Sequence, residues 1–215
     1  MMEAVPLRQA VAGLSVCDLN ANTNSFCDES GTTVRNPLPL PSAYTDPPGL
    51  AHIFEQALDV PDVARALEEF DIVAFKSCYS AAQIRSDEQL SRFCRSYQGR
   101  IADFIDGHPD QRFVIVSPPP RRPLLTTRAA AARARSFSHF LADFAGARSN
   151  CVFCDLFDCL ADSRGMLRVR YRRMMPRDQH PNKTGARSAG HALVNVFAEA
   201  AQTLDDVKQA AAGRV

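Results

Sequence analysis

A three-layer α/β sandwich, a parallel sheet covered on both faces by helices, is the fold class that this sequence predicts, and three observations predict it. Short β-branched runs alternate with helical segments of about ten residues or more, the pattern of crossover-connected parallel strands. The runs are continuously apolar rather than alternating, as strands buried on both faces are. A chain of 215 residues with 46% hydrophobic and 23% charged residues also suits one sizeable core, and so a single domain over 1–215.

Four strands are predicted, starting with a weak one at Leu14-Ser15-Val16-Cys17. Strong ones follow at Asp71-Ile72-Val73-Ala74-Phe75, Arg112-Phe113-Val114-Ile115-Val116 and Asn150 to Leu156. Helical spacing covers Leu50 to Leu58, Asp62 to Phe70, Asp87 to Ile105, Thr127 to Phe144, and Arg187 to about Ala211. Ser86-Asp87-Glu88-Gln89 reads as a capping box, and Thr126 or Thr127 caps the Ala/Arg-rich helix after it. Residues 18–49, rich in Asn, Pro, Thr and Ser, read as a long irregular loop, and 205–215 as a frayed tail.

Lys and Arg number 25 against 24 Asp and Glu, a formal charge of +1, so bulk electrostatics suggests neither a nucleic-acid nor a membrane partner. No leader-like or bilayer-length apolar run occurs, and seven cysteines are an odd count in a domain that needs no staples. A cytoplasmic protein with reduced thiols and no cofactor is expected. Oligomeric state is not legible.

In a parallel sheet, ligands bind outside the carboxyl ends of the strands. The loop before the last helix should open there, and it contains Arg177-Asp178-Gln179-His180-Pro181-Asn182. An Asp two residues before a His can accept the Nδ1 proton and leave Nε2 directed at a nucleophile. Cys151-x-x-Cys154 with Cys159 has thiolates at a chelating spacing, but residues three apart on a strand face opposite sides, so no metal is expected. Arg121-Arg122 and Arg170, Arg172 and Arg173 read as solvated charges. His52, His108, His139 and His191 lack a partner comparable to that of His180.

The segment Asp178-x-His180-Pro181-Asn182 before a terminal helix resembles the last block of the SGNH/GDSL hydrolases, in the bacterial hydrolase-like branch with one residue between Asp and His. Asp71 to Cys78, Val116 to Pro120, Asp155 to Ala161 and Tyr44 to Leu50 resemble the same group. The resemblance implies a flavodoxin-like sheet and a serine esterase acting on an acyl or acetyl group of a carbohydrate or small metabolite, or transferring it. His180 would then be the base, Asp178 its orienter and a serine the nucleophile. Ser15, in Gly13-Leu14-Ser15-Val16, is the candidate in form, yet Asn20-Ala21-Asn22-Thr23-Asn24 is poor sequence for the helix that a nucleophile turn opens.

The alternative places Leu14 to Cys17 on the second strand and leaves the nucleophile block missing, as in a truncated or degenerate, non-catalytic homologue that serves as a binding or scaffold protein. Ser77 and Cys78 occupy the position of the family's oxyanion block without its Gly and Asn, so backbone N–H groups would serve there. Cys78 is also a candidate thiol nucleophile, and Lys76 a candidate anion contact.

Overall fold

The computed structural model describes residues 18–20, 25–27, 33–35, 46–175 and 177–212. Two sheets occur in them. The first is a small antiparallel meander of β1 (Asp18–Asn20), β2 (Ser25–Cys27) and β3 (Thr33–Arg35). Its register sets Leu19 opposite Phe26 and Phe26 opposite Val34. Part of the segment expected to be irregular is thus a sheet. The weak strand expected at 14–17, and Ser15 with it, lies outside the described residues.

The second sheet is the frame of the protein. Strands β4 (Ile72–Lys76), β5 (Arg112–Val116) and β6 (Cys151–Cys154) are parallel, in that order, with Ile72 paired to Arg112 and Phe113 to Cys151. All five residues of β5 are buried, as a central strand requires, whereas Ala74 and Lys76 of β4 are exposed. Among the described residues β4 has a strand partner on one side, β5.

Alternate residues of each strand feed two cores. Phe113 and Ile115, with Val73, Phe75 and Phe153, pack against one helical layer. It consists of α1 (Pro47–Asp59), α2 (Pro61–Glu68), α3 (Asp87–Ser96), α4 (Ala102–Gly107) and α5 (Arg128–Gly146). Val114 and Val116, with Ile72, Val152 and Cys154, pack against α6 (Leu156–Leu160) and α7 (Lys183–Ala212) on the other face. Helices on both faces of a parallel sheet make the expected three-layer α/β sandwich.

Local chemistry explains the boundaries. Asp46 caps α1 by accepting the Gly49 N–H at 3.0 Å, and two prolines open that helix. Ser86 Oγ accepts the Gln89 N–H at 3.2 Å, and Thr127 Oγ1 accepts that of Ala130 at 3.1 Å. The helix expected over 87–105 is broken by a π turn at Tyr97–Ile101, where Gly99 takes φ −101° and ψ −119°. The final helix runs to Ala212, through residues where fraying is expected from sequence. Among the described residues no helix is long and apolar enough to cross a membrane.

Candidate active site

The carboxyl ends of the three parallel strands lead into Ser77 and a 3-10 turn at Tyr79–Ala82, into Ser117 and three prolines, and into Asp155. Asp155 pins two of these ends together. Its Oδ1 accepts hydrogen bonds from Ser117 Oγ at 3.3 Å, Ser138 Oγ at 3.1 Å and the Asp158 N–H at 2.9 Å, and Ser117 Oγ in turn accepts the Phe157 N–H at 2.8 Å. A buried polar group that is fully bonded rigidifies its surroundings. The sheet edge under the candidate site is fastened in this way.

Asp178 and His180 are brought together as the spacing predicts. Asp178 Oδ1 accepts both the backbone N–H of His180 at 2.9 Å and its ring Nδ1–H at 2.8 Å. These two bonds, the backbone one foremost, hold the Asp178 carboxyl below the usual aspartate range, and Arg173 at 3.2 Å from Oδ2 adds to the effect. The double acceptance fixes the tautomer with Nε2 unprotonated and directed away from the carboxylate.

The ring of Tyr79 meets the His180 ring edge to face, with centroids 5.4 Å apart. Burial, then the neighbouring Cys78 and Asp178, push the Tyr79 hydroxyl above its ordinary pKa, so it remains a donor at neutral pH. Tyr79 carries no motif that sequence reasoning could use. Among the described residues no hydrogen bond involves His180 Nε2.

A depressed carboxyl has a defined pH signature. The stabilisation it lends this loop is complete above the ordinary aspartate pKa and is lost as pH falls through its own lower value. Carbon-detected NMR titration of Asp178 should therefore give a midpoint below that of an exposed aspartate. A midpoint at or above the ordinary value would refute the double hydrogen bond.

The loop itself is held through its backbone. Arg122, 8% exposed, donates from Nη1 to the carbonyls of Met175 and of Asp178, the latter at 3.0 Å. Arg173 Nε donates to the Pro181 carbonyl at 3.1 Å. Asn182 Nδ2 donates to the carbonyls of Arg170 at 2.8 Å and Arg172 at 3.2 Å, while its Oδ1 accepts the Gly185 N–H at 3.0 Å and so starts α7. Gly185 is needed there, because a Cβ would come within 2.8 Å of Pro181 and 3.0 Å of Tyr171. Reading these arginines as solvated charges fails for Arg122 and Arg172, whose guanidinium groups are taken up by main-chain carbonyls.

Of the other residues singled out, Ser77 is 1% exposed, Cys78 is half-buried and Lys76 is exposed. Cys151 packs on one face of the sheet and Cys154 on the other, and burial pushes both thiols up to about 12. His108 does have partners, the Phe104 carbonyl at 2.6 Å and Glu68 Oε1 at 3.0 Å, in a structural contact between α4 and α2. Four buried side-chain atoms without a protein partner, Ser77 Oγ, Gln83 Oε1, Arg121 Nε and Gln179 Oε1, belong to the loops that follow β4 and β5 or precede α7.

Among solved structures the chain is similar to a Streptococcus pneumonia protein described provisionally as a platelet activating factor. The identity is 16%, the TM-score is 0.48, and the match covers 66% of each chain. The chain thus spans about two thirds of that protein's length. At that level the likeness assigns neither family nor activity. No protein-family model matches the chain, and no curated protein matches it.

Proposed function

We propose that the protein is an SGNH-like hydrolase that cleaves an ester, with His180 as general base and Asp178 as its orienting carboxylate. The supporting observation is the Asp178 carboxylate bound to both the ring and the backbone of His180, at the carboxyl edge of a parallel sheet. In this reading a serine hydroxyl, Ser15 being the candidate, attacks the ester carbonyl carbon and passes its proton to His180 Nε2. Asp178 stabilises the imidazolium so formed. Main-chain N–H groups around Ser77 and Cys78 bear the oxyanion. The tetrahedral adduct expels the alcohol, which takes the proton from Nε2, and water then cleaves the acyl-enzyme by the same sequence. The unpartnered polar atoms of Gln83, Arg121 and Gln179 favour an ester whose alcohol part is polar, such as a carbohydrate.

A second reading, a non-catalytic homologue, is favoured by Ser77 and Cys78 standing where the family's oxyanion block has Gly and Asn. Labelling with a fluorophosphonate separates the two. The hydrolase reading expects the wild type to be labelled and Ser15→Ala not to be. Equal labelling of Ser15→Ala would move the nucleophile elsewhere, and an unlabelled wild type would favour the non-catalytic homologue.

A further inference from the structure

A second cluster of charge lies on α5, on none of the loops that carry Tyr79, Arg122 or His180. Arg128, Ala132, Arg135, Ser136 and His139 recur at intervals of four, three, one and three, which places them on one face of the helix. With Ser163 and Arg164 of the loop after α6 they line an open cleft of about 500 Å³. Three guanidinium groups, one imidazole and two hydroxyls line it, and no carboxylate does.

The cleft wall is built rather than incidental. Arg135 donates from Nη1 to the Ser163 carbonyl at 3.1 Å, from Nη2 to the Asp162 carbonyl at 2.9 Å and from Nε to Asp158 Oδ1 at 2.9 Å, tying the loop to the helix. Asp162 Oδ1 closes that loop by accepting the N–H groups of Arg164 at 2.9 Å and Met166 at 3.0 Å. Gly165 at φ +75° then lets the loop lie against the helix, since a Cβ there would stand 3.0 Å from the Ala131 carbonyl oxygen. Arg135 is thus a strut whose charge is largely answered by Asp158. The other two guanidinium groups are not answered.

Some cations elsewhere on the protein are paired, as Arg65 is with Asp62, Arg133 with Asp87 and Arg148 with Asp106. Among the described residues the guanidinium groups of Arg128 and Arg164 have neither a hydrogen bond nor an ion pair. Arg128 also stands in the first turn of α5, which has no acidic residue, so its charge opposes the positive end of the helix dipole. A bound anion reverses both penalties.

We propose that this cleft binds a phosphate-bearing ligand, with Arg128 and Arg164 as its principal contacts and Ser136 and Ser163 as hydroxyl donors. Guanidinium forks suit phosphate oxygens in geometry as well as charge. Calorimetry on the full chain with inorganic pyrophosphate tests this. One site is expected, bound more tightly than inorganic phosphate, with affinity reduced at least about tenfold in each of Arg128→Gln and Arg164→Gln. Because neither side chain has an internal partner, both variants should melt with the wild type, and fluorophosphonate labelling should be unaffected.

A co-sedimentation arm uses phosphatidylcholine vesicles containing phosphatidic acid. Sedimentation displaced by pyrophosphate assigns the phosphate to a lipid headgroup, and pyrophosphate binding without sedimentation assigns it to a soluble molecule. Wild type that binds no pyrophosphate, or variants that bind it as the wild type does, would overturn the site.

Discussion

Replacing His180 with alanine is expected to remove fluorophosphonate labelling and to lower ester hydrolysis by about 10⁴-fold or more, the scale on which loss of a triad histidine acts. The substitution removes the proton acceptor that the proposed mechanism assigns to the serine. It should leave the fold intact, because the His180 side chain is 62% exposed and gives up only its ring hydrogen bond to Asp178 and an aromatic contact with Tyr79, each worth about 1 kcal/mol. Asp178→Asn should fall by roughly 10³–10⁴-fold, since the amide can keep the ring in place without stabilising its positive charge. Steady-state kinetics on a chromogenic acetyl ester, with circular dichroism as the folding control, gives the comparison. Hydrolysis that survives His180→Ala would end the proposed mechanism.

The largest expected loss of stability comes from Arg122→Met. Two charge-assisted hydrogen bonds disappear, and the Met175 and Asp178 carbonyls lose their donor, a cost of about 3 kcal/mol. For a chain of this size that is a fall of roughly 6–12 °C in Tm. Arg122 is a positioning residue that acts through Asp178, so kcat should fall on the order of 10²-fold while KM changes little. Arg122→Lys, which retains a charged donor, should recover part of both losses. An unchanged Tm in Arg122→Met, measured by scanning calorimetry, would mean that the loop is held by other contacts.

The features legible in sequence are those written within a few residues of one another. Arg112 to Val116 reads as a buried strand and forms one with those bounds, because a continuous β-branched run has few other homes. The Ser86–Gln89 cap and the Asp178–His180 pair are local in the same sense. Helix α3 ends early because Gly99 admits a conformation that spacing does not encode. Arg122 looks like any surface arginine until a loop more than 50 residues away brings it two carbonyls, and Glu68 meets His108 across 40 residues of chain. The three-residue strands β1, β2 and β3 are too short for a sequence pattern to mark, and only their backbone pairing reveals them.

Asn182 begins α7 with one end of its amide and grips the preceding loop with the other. This divides the candidate site into a part resistant to mutation and a part open to it. The Asp178–His180 pair is carried by a loop whose main-chain carbonyls are held by the side chains of Arg122, Arg173 and Asn182, so its geometry depends on those three positions and little on the side chains around them. The facing wall, the turn at Tyr79–Ala82, meets the pair through side chains such as the Tyr79 ring on His180. In the proposed hydrolase, substitutions along that turn would alter substrate choice at small cost, while the three anchoring side chains keep the Asp178–His180 pair in place.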